Sequence, residues 1–135
     1  MIKIGTDICS VNRITSAYER WGRRFLERIL TDREIEYVLK EPAHTATRIA
    51  GRFAAKEAAS KALGTGWNGV SWKEVEIGRH PSGEPNIKLT GRAADIAQRR
   101  GVDTWEVSLS HEKEYAVAFV LAYLSAGKSD HNAHD

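Results

Sequence analysis

The sequence predicts a single α+β domain with helices packed on a largely antiparallel sheet, and three observations carry that prediction. Apolar residues recur at helical spacing through the first half of the chain. Period-two alternation opens the chain, and β-prone runs return near its end. A turn-rich stretch, "GRHPSGEP", separates two further short runs of strand character. At 135 residues the chain is long enough for one core, which at this size buries roughly two thirds of the unfolded surface.

The elements follow in order. In "MIKIGTDI", Ile2, Ile4, Thr6 and Ile8 take one face of a strand, while Lys3, Gly5 and Asp7 take the other, with Asp7 near the strand's end. From about Asn12 to Phe25, Ile14, Ala17, Tyr18 and Trp21 recur at helical spacing. On that helix Arg13, Arg20 and Arg24 fall within about 40° of one another, a basic stripe beside an apolar one. Thr31 and Glu34 fit a capping box, opening a short helix through Ile35, Val38 and Leu39 that Pro42 closes. A longer helix runs from about Thr45 to Leu63 and stops at Gly64. "SWKEVEI" and "NIKLT" read as a hairpin, and "GRAADIAQRRG" as a helix ended by Gly101. Two strands, about Thr104 to Ser110 and Tyr115 to Leu124, are joined by a polar turn around His111 to Glu114. The domain therefore spans 1–124, and 125–135 is a polar tail of disordered composition.

Composition narrows the function. Twenty basic and eighteen acidic residues leave a formal charge of +2, too balanced to mark a nucleic-acid binder, so electrostatic targeting rests on local patches. Cys9 stands alone and cannot form an internal disulfide, and the opening residues lack a signal peptide's apolar run, so a cytoplasmic protein is predicted. The longest apolar run, "YAVAFVLAYL", falls short of the about 20 residues that a membrane helix needs, and reads as a buried strand.

The richest stretch is "GRFAAKEAASKALGTG", Gly51 to Gly66. On a helical wheel Phe53, Glu57, Ser60, Lys61 and Gly64 share one arc, with Lys56 at its margin, and Ala54, Ala55, Ala58, Ala59 and Ala62 fill the other. Glu57 and Lys61, four apart, suit a surface ion pair worth about 0.3 to 0.5 kcal/mol. Lysines followed by "GTG" equally suit phosphate oxygens, through ammonium groups and unhindered amides. Asp7 and Glu57 are the candidate metal ligands, since two carboxylates without a Cys or His cluster favour a hard cation such as Mg²⁺. Asp7 also fits a turn residue bonding nearby amides.

Three segments, "IGTDICSVNRI" at Ile4 to Ile14, "GRFAAKEAASKALGTG" at Gly51 to Gly66 and "VSLSHEKEYAVAF" at Val107 to Phe119, together resemble one family. It is that of the holo-acyl-carrier-protein synthases, the small bacterial type of 4′-phosphopantetheinyl transferase. The resemblance implies transfer of the phosphopantetheine arm of coenzyme A to a serine of apo acyl carrier protein, in support of fatty acid biosynthesis. It also implies Mg²⁺ as cofactor and a homotrimer with active sites at subunit interfaces. By position, Asp7 and Glu57 match the metal-holding carboxylates and Lys61 the lysine directed at coenzyme A phosphates. Arg52, Gly64 and Gly66 lie in segments that line the nucleotide site, and His111 matches a histidine beside coenzyme A. Glu57 or a metal-bound water is the implied base. Acyl carrier proteins are acidic, which makes Arg13, Arg20 and Arg24 the implied docking stripe, with Arg23 and Arg28 beside it.

"WNGVSW" after the glycine pair and a His-containing tail with His131 and His134 depart from the family pattern. A competing reading is a non-catalytic nucleotide- or RNA-binding module that stacks bases on Trp67 or Trp72. Another is a trimeric interaction protein that keeps the fold without the activity.

Overall fold

The structure is a computed structural model that describes residues 1–125. The tail reading, apart from Ser125, lies outside the described residues, as do His131 and His134. The chain runs β1 (Ile2–Ser10), α1 (Val11–Trp21), α2 (Arg23–Ile29), α3 (Asp32–Leu39), α4 (Thr45–Leu63), β2 (Val75–Arg79), β3 (Pro85–Leu89), α5 (Gly91–Arg99), β4 (Thr104–His111) and β5 (Tyr115–Tyr123). Short 3-10 turns at Pro42–His44 and Trp72–Glu74 join the helices and strands. β1, β5 and β4 form one antiparallel sheet in that order, and β2 and β3 form a separate hairpin. The α+β prediction holds, although its sheet joins the first strand to the last two.

α4 is the central helix and packs chiefly on β1 and β5. The alanine face predicted to turn inward does so: Ala54, Ala55, Ala58, Ala59 and Ala62 are all buried, as are Ala116, Ala118 and Ala122 on the facing side of β5. Small residues on both sides let helix and sheet approach closely. Gly5 shows how closely, since a Cβ there would collide with the Ala58 carbonyl and come within 2.9 Å of the Ala62 nitrogen. Leu26, Leu30, Ile35, Val38 and Ile49 complete the core, each worth about 1.5 to 3 kcal/mol when fully buried.

Five features differ from the sequence reading. The predicted helix from Asn12 to Phe25 is two helices, because Gly22 at φ 59° caps α1 and turns the chain into α2. The arginine stripe is broken with it: Arg13 and Arg20 stay on α1, and Arg24 belongs to α2. Lys56 does not border the polar arc but is fully buried, with its ammonium donating to the carbonyls of Trp72 at 2.8 Å and Val75 at 2.7 Å. The stretch from Ser71 to Glu74 is not strand; it forms a 3-10 turn with its own capping box, and the hairpin begins at Val75. Finally, β5 is buried on one face only. Phe119 and Leu121 on its other face are exposed at 60% and 42%, alongside Ile2, Ile4 and Ile8 of β1 at 69%, 70% and 63%. The register sets Ile4 opposite Leu121 and Thr6 opposite Phe119, so these side chains make one continuous apolar face.

The capping box at Thr31 and Glu34 forms as predicted, with both reciprocal bonds present. Glu34 goes further: its carboxylate accepts from the Ile77 amide at 2.8 Å and pairs with Lys56 at 2.8 Å, both side chains essentially inaccessible. Burial depresses the Lys56 pKa and the Glu34 carboxylate opposes that shift. This lysine ties α4 to the capping turn of α3 and to the start of the hairpin.

Candidate active site

The close contact of β1 on α4 builds the first cluster. With no side chain between the two backbones at Gly5, Asp7 two residues on reaches the end of α4, where the Lys61 ammonium donates to Asp7 Oδ1 and to the Thr6 carbonyl, each at 3.0 Å. Glu57 stands one turn earlier on the same helix, half-buried, and its Oε1 accepts from the indole N–H of Trp67 at 3.3 Å. The strand carboxylate and the helix lysine predicted from separate segments therefore meet. Asp7 and Glu57 both act on the Cys9 thiol. Burial, followed by the Asp7 charge, pushes that thiol up to about 11, so Cys9 is a buried neutral thiol at ordinary pH.

Gly64 and Gly66 close α4. The Gly64 amide donates to the Ser60 and Lys61 carbonyls, both at 3.1 Å, and the Gly66 amide to Ser60 at 3.3 Å. These amides serve as helix caps, so what the pair offers an approaching anion is a lack of side chains. Of the two lysines in the motif, only Lys61 has an ammonium within reach of a ligand; its side chain is about half exposed.

A second cluster surrounds Tyr37. Three guanidinium groups converge on its ring: Arg52 at 4.1 Å, Arg48 at 4.4 Å and Arg79 at 5.3 Å from the centroid. Arg79 also donates to the Tyr37 hydroxyl, and Arg48 to the Tyr37 carbonyl at 3.2 Å and to Glu41 at 2.7 Å. Arg52 is buried, its Nε has no hydrogen-bond partner among the described residues, and burial lowers its pKa, with Tyr37 and Glu34 opposing the shift. A cavity of about 430 Å³ opens beside these groups, lined also by His111 at the end of β4. Arg52 and His111, predicted from separate segments, thus share one basic cavity, while Asp7, Glu57, Lys61, Gly64 and Gly66 are not among its lining residues.

Arg13 is exposed in the first turn of α1, where its amide is capped by Ser10 Oγ at 3.3 Å. Arg20 is exposed in the last turn, its guanidinium 5.0 Å from the centre of the Trp21 ring. Arg24 is exposed on α2 beyond the Gly22 break. Sequence reasoning missed Tyr37, Arg48 and Arg79, whose spacing carries no motif, and it missed the bond from Trp67 to Glu57. The one available signal for that bond was Trp67 itself, standing immediately after the glycine pair.

The chain matches the 4′-phosphopantetheinyl transferase superfamily over residues 3–120 and belongs to it. Within that class, it is 51% identical over 118 residues to the holo-[acyl-carrier-protein] synthase of Gloeobacter violaceus, spanning 87% of this chain and 89% of that one. The crystal structure of the holo-[acyl-carrier-protein] synthase of Neisseria meningitidis superposes with a TM-score of 0.82 at 38% identity, covering 90% of this chain and 98% of that one. The Helicobacter pylori synthase, solved in complex with coenzyme A, gives a TM-score of 0.78 at 34% identity, covering 88% of this chain and 98% of that one.

Proposed function

We propose that this chain transfers the 4′-phosphopantetheine arm of coenzyme A to a serine of apo acyl carrier protein, releasing adenosine 3′,5′-bisphosphate, with Mg²⁺ held by Asp7 and Glu57. The observation that carries this reading is the pairing of Lys61 with Asp7 where β1 crosses α4, with Glu57 one turn back on the same helix and both carboxylates acting on the Cys9 thiol. An all-oxygen pair fits a cation that keeps several waters and shares phosphate oxygens. Such an ion, when bound, neutralises the pyrophosphate and polarises the phosphorus under attack.

The chain's own residues do the rest. Lys61, half exposed, can exchange Asp7 for a phosphate oxygen and so place positive charge where negative charge develops on the leaving group. The new bond joins the serine oxygen to the β-phosphorus, and the bond to the departing bisphosphate breaks. The serine proton leaves to Glu57 or to water beside it. Arg52 and His111, with Arg48 and Arg79 beside them, suit the polyanionic nucleotide end of coenzyme A. Arg13, Arg20 and Arg24 give an acidic carrier two exposed basic helices to dock against.

The reading includes a homotrimer with active sites at subunit interfaces. It is supported by the apolar face on which Ile2, Ile4, Ile8, Phe119 and Leu121 stand exposed together, the kind of surface that marks an interaction site. An active site shared between copies would combine the Arg52 cavity of one with the carboxylates of another, the two clusters that stand apart in one chain. A cytoplasmic setting, in support of fatty acid biosynthesis, completes the reading. Among the described residues, no helix is long and apolar enough to cross a membrane.

The test is intact-mass spectrometry of apo acyl carrier protein incubated with this protein, coenzyme A and Mg²⁺, with an EDTA control. A metal-dependent gain of one phosphopantetheine arm is expected. No gain with several apo carriers and a folded protein would overturn the proposal.

A further inference from the structure

We propose that Trp67 is a positioning residue for Glu57, fixing one carboxylate oxygen so that the other is presented to the metal and the reacting serine. The inference rests on the transferase reading for its chemistry and on the aromatic geometry for its substance. Glu57 has a flexible side chain on a half-buried arc of α4, and a ligand or base must be held within a fraction of an ångström to be effective. The Trp67 indole N–H reaches its Oε1 at 3.3 Å. Among the described residues, no other hydrogen bond engages the carboxylate.

Trp67 is itself held. Its ring stacks on Trp72 with centroids 4.0 Å apart and planes 20° apart, and Trp72 leans on Phe53 at 5.1 Å. Phe53 lies one turn before Glu57 on α4. The contacts thus close a circuit that leaves the helix at Phe53, passes through two indoles and returns at Glu57. The turn carrying Trp67 is fixed by Gly66 at φ 57° and Gly69 at φ 78°, and by the bond from the Val70 amide to the Trp67 carbonyl at 3.4 Å. Trp72 sits in the capped 3-10 turn whose carbonyl receives the buried Lys56. The indole therefore acts from a rigid base, as hydrogen-bonding partners behind metal ligands do.

The discriminating variant is Trp67→Phe, which keeps an aromatic ring for the stack and removes the N–H. A second, with benzothienylalanine at position 67, keeps the bicyclic ring and replaces only the N–H by sulfur. Two readouts are taken on the full chain: kcat and KM for coenzyme A, and the affinity for Mn²⁺ alone by paramagnetic resonance. In both variants kcat should fall about tenfold and Mn²⁺ should bind several-fold more weakly, within the roughly 10- to 100-fold range for such partners. KM for coenzyme A should stay within twofold. A folded variant with unchanged kcat and Mn²⁺ affinity would overturn the inference, as would a rise in KM alone, which would make Trp67 a wall of the nucleotide site. If neither variant folds, the inference is overturned in favour of a purely structural indole. If wild type transfers nothing yet the variants still lose Mn²⁺, the transferase reading fails and the role for Trp67 stands. If wild type neither transfers nor binds Mn²⁺, both fall.

Discussion

At the scale of single residues, like side chains have been put to unlike uses. Lys61 is exposed and free to exchange partners, whereas Lys56, five residues earlier, is sealed beneath Glu34 and two carbonyls. Lys56→Met should unfold the protein more readily by about 3 to 5 kcal/mol, because it strands a buried carboxylate. Urea titration followed by circular dichroism measures this, and a loss below about 1 kcal/mol would mean that the pair is dispensable. Cys9 makes the second residue-scale prediction. Its thiol titrates near 11 in the fold, against an ordinary value of 9.0. The reactive thiolate is therefore scarce at pH 8 in the folded protein, and Cys9 should resist iodoacetamide there until the chain is denatured. The sign for stability follows. The contribution of the neutral thiol is present below pH 9 and is lost as pH rises through 11. The motif residues were legible because each sits in a short contiguous stretch of chain with its own pattern, whereas the roles of Lys56 and Trp67 were not. A helical wheel gives direction but not depth, and depth depends on Glu34, Ile77 and Trp72, which are remote in sequence.

At the scale of elements, the crossing of β1 on α4 sets the geometry of the carboxylate cluster. Gly5→Ala would drive a methyl group into the Ala58 carbonyl, and the strand would have to lift from the helix. We expect a loss of about 3 kcal/mol together with transfer activity well below wild type, since Asp7 moves with the strand. Measured stability and turnover equal to wild type would refute that. Most elements could be read in advance: α4 from its alanine periodicity, α3 from its capping box, and β4 and β5 from their composition. The break at Gly22 could not, because the apolar spacing runs through it and a glycine within a helical pattern is only a weak signal. Nor was it evident which face of β1 is buried. Alternation marks two faces without naming the inner one, and here the bulky isoleucines point out while Gly5 and Cys9 point in.

For the whole molecule, that inversion explains itself if the sheet has two inner faces, one against α4 and one against other copies of the chain. The wild-type protein should run at three times the chain mass in light scattering, and Ile4→Glu should run as a monomer with transfer activity nearly abolished. An unchanged mass with unchanged turnover would remove the interface. The order of strands carries one more implication. β1 at the start of the domain is paired along its length with β5 at the end, from Ile2 opposite Tyr123 to Ser10 opposite Tyr115. The opening strand thus has no partner until nearly the whole domain has left the ribosome. Its isoleucines wait uncovered beside an unmade sheet, so the domain completes its folding only once β5 has been made, through distant contacts that form slowly. Any chain cut short before β5 is an aggregation hazard rather than a smaller version of the same domain.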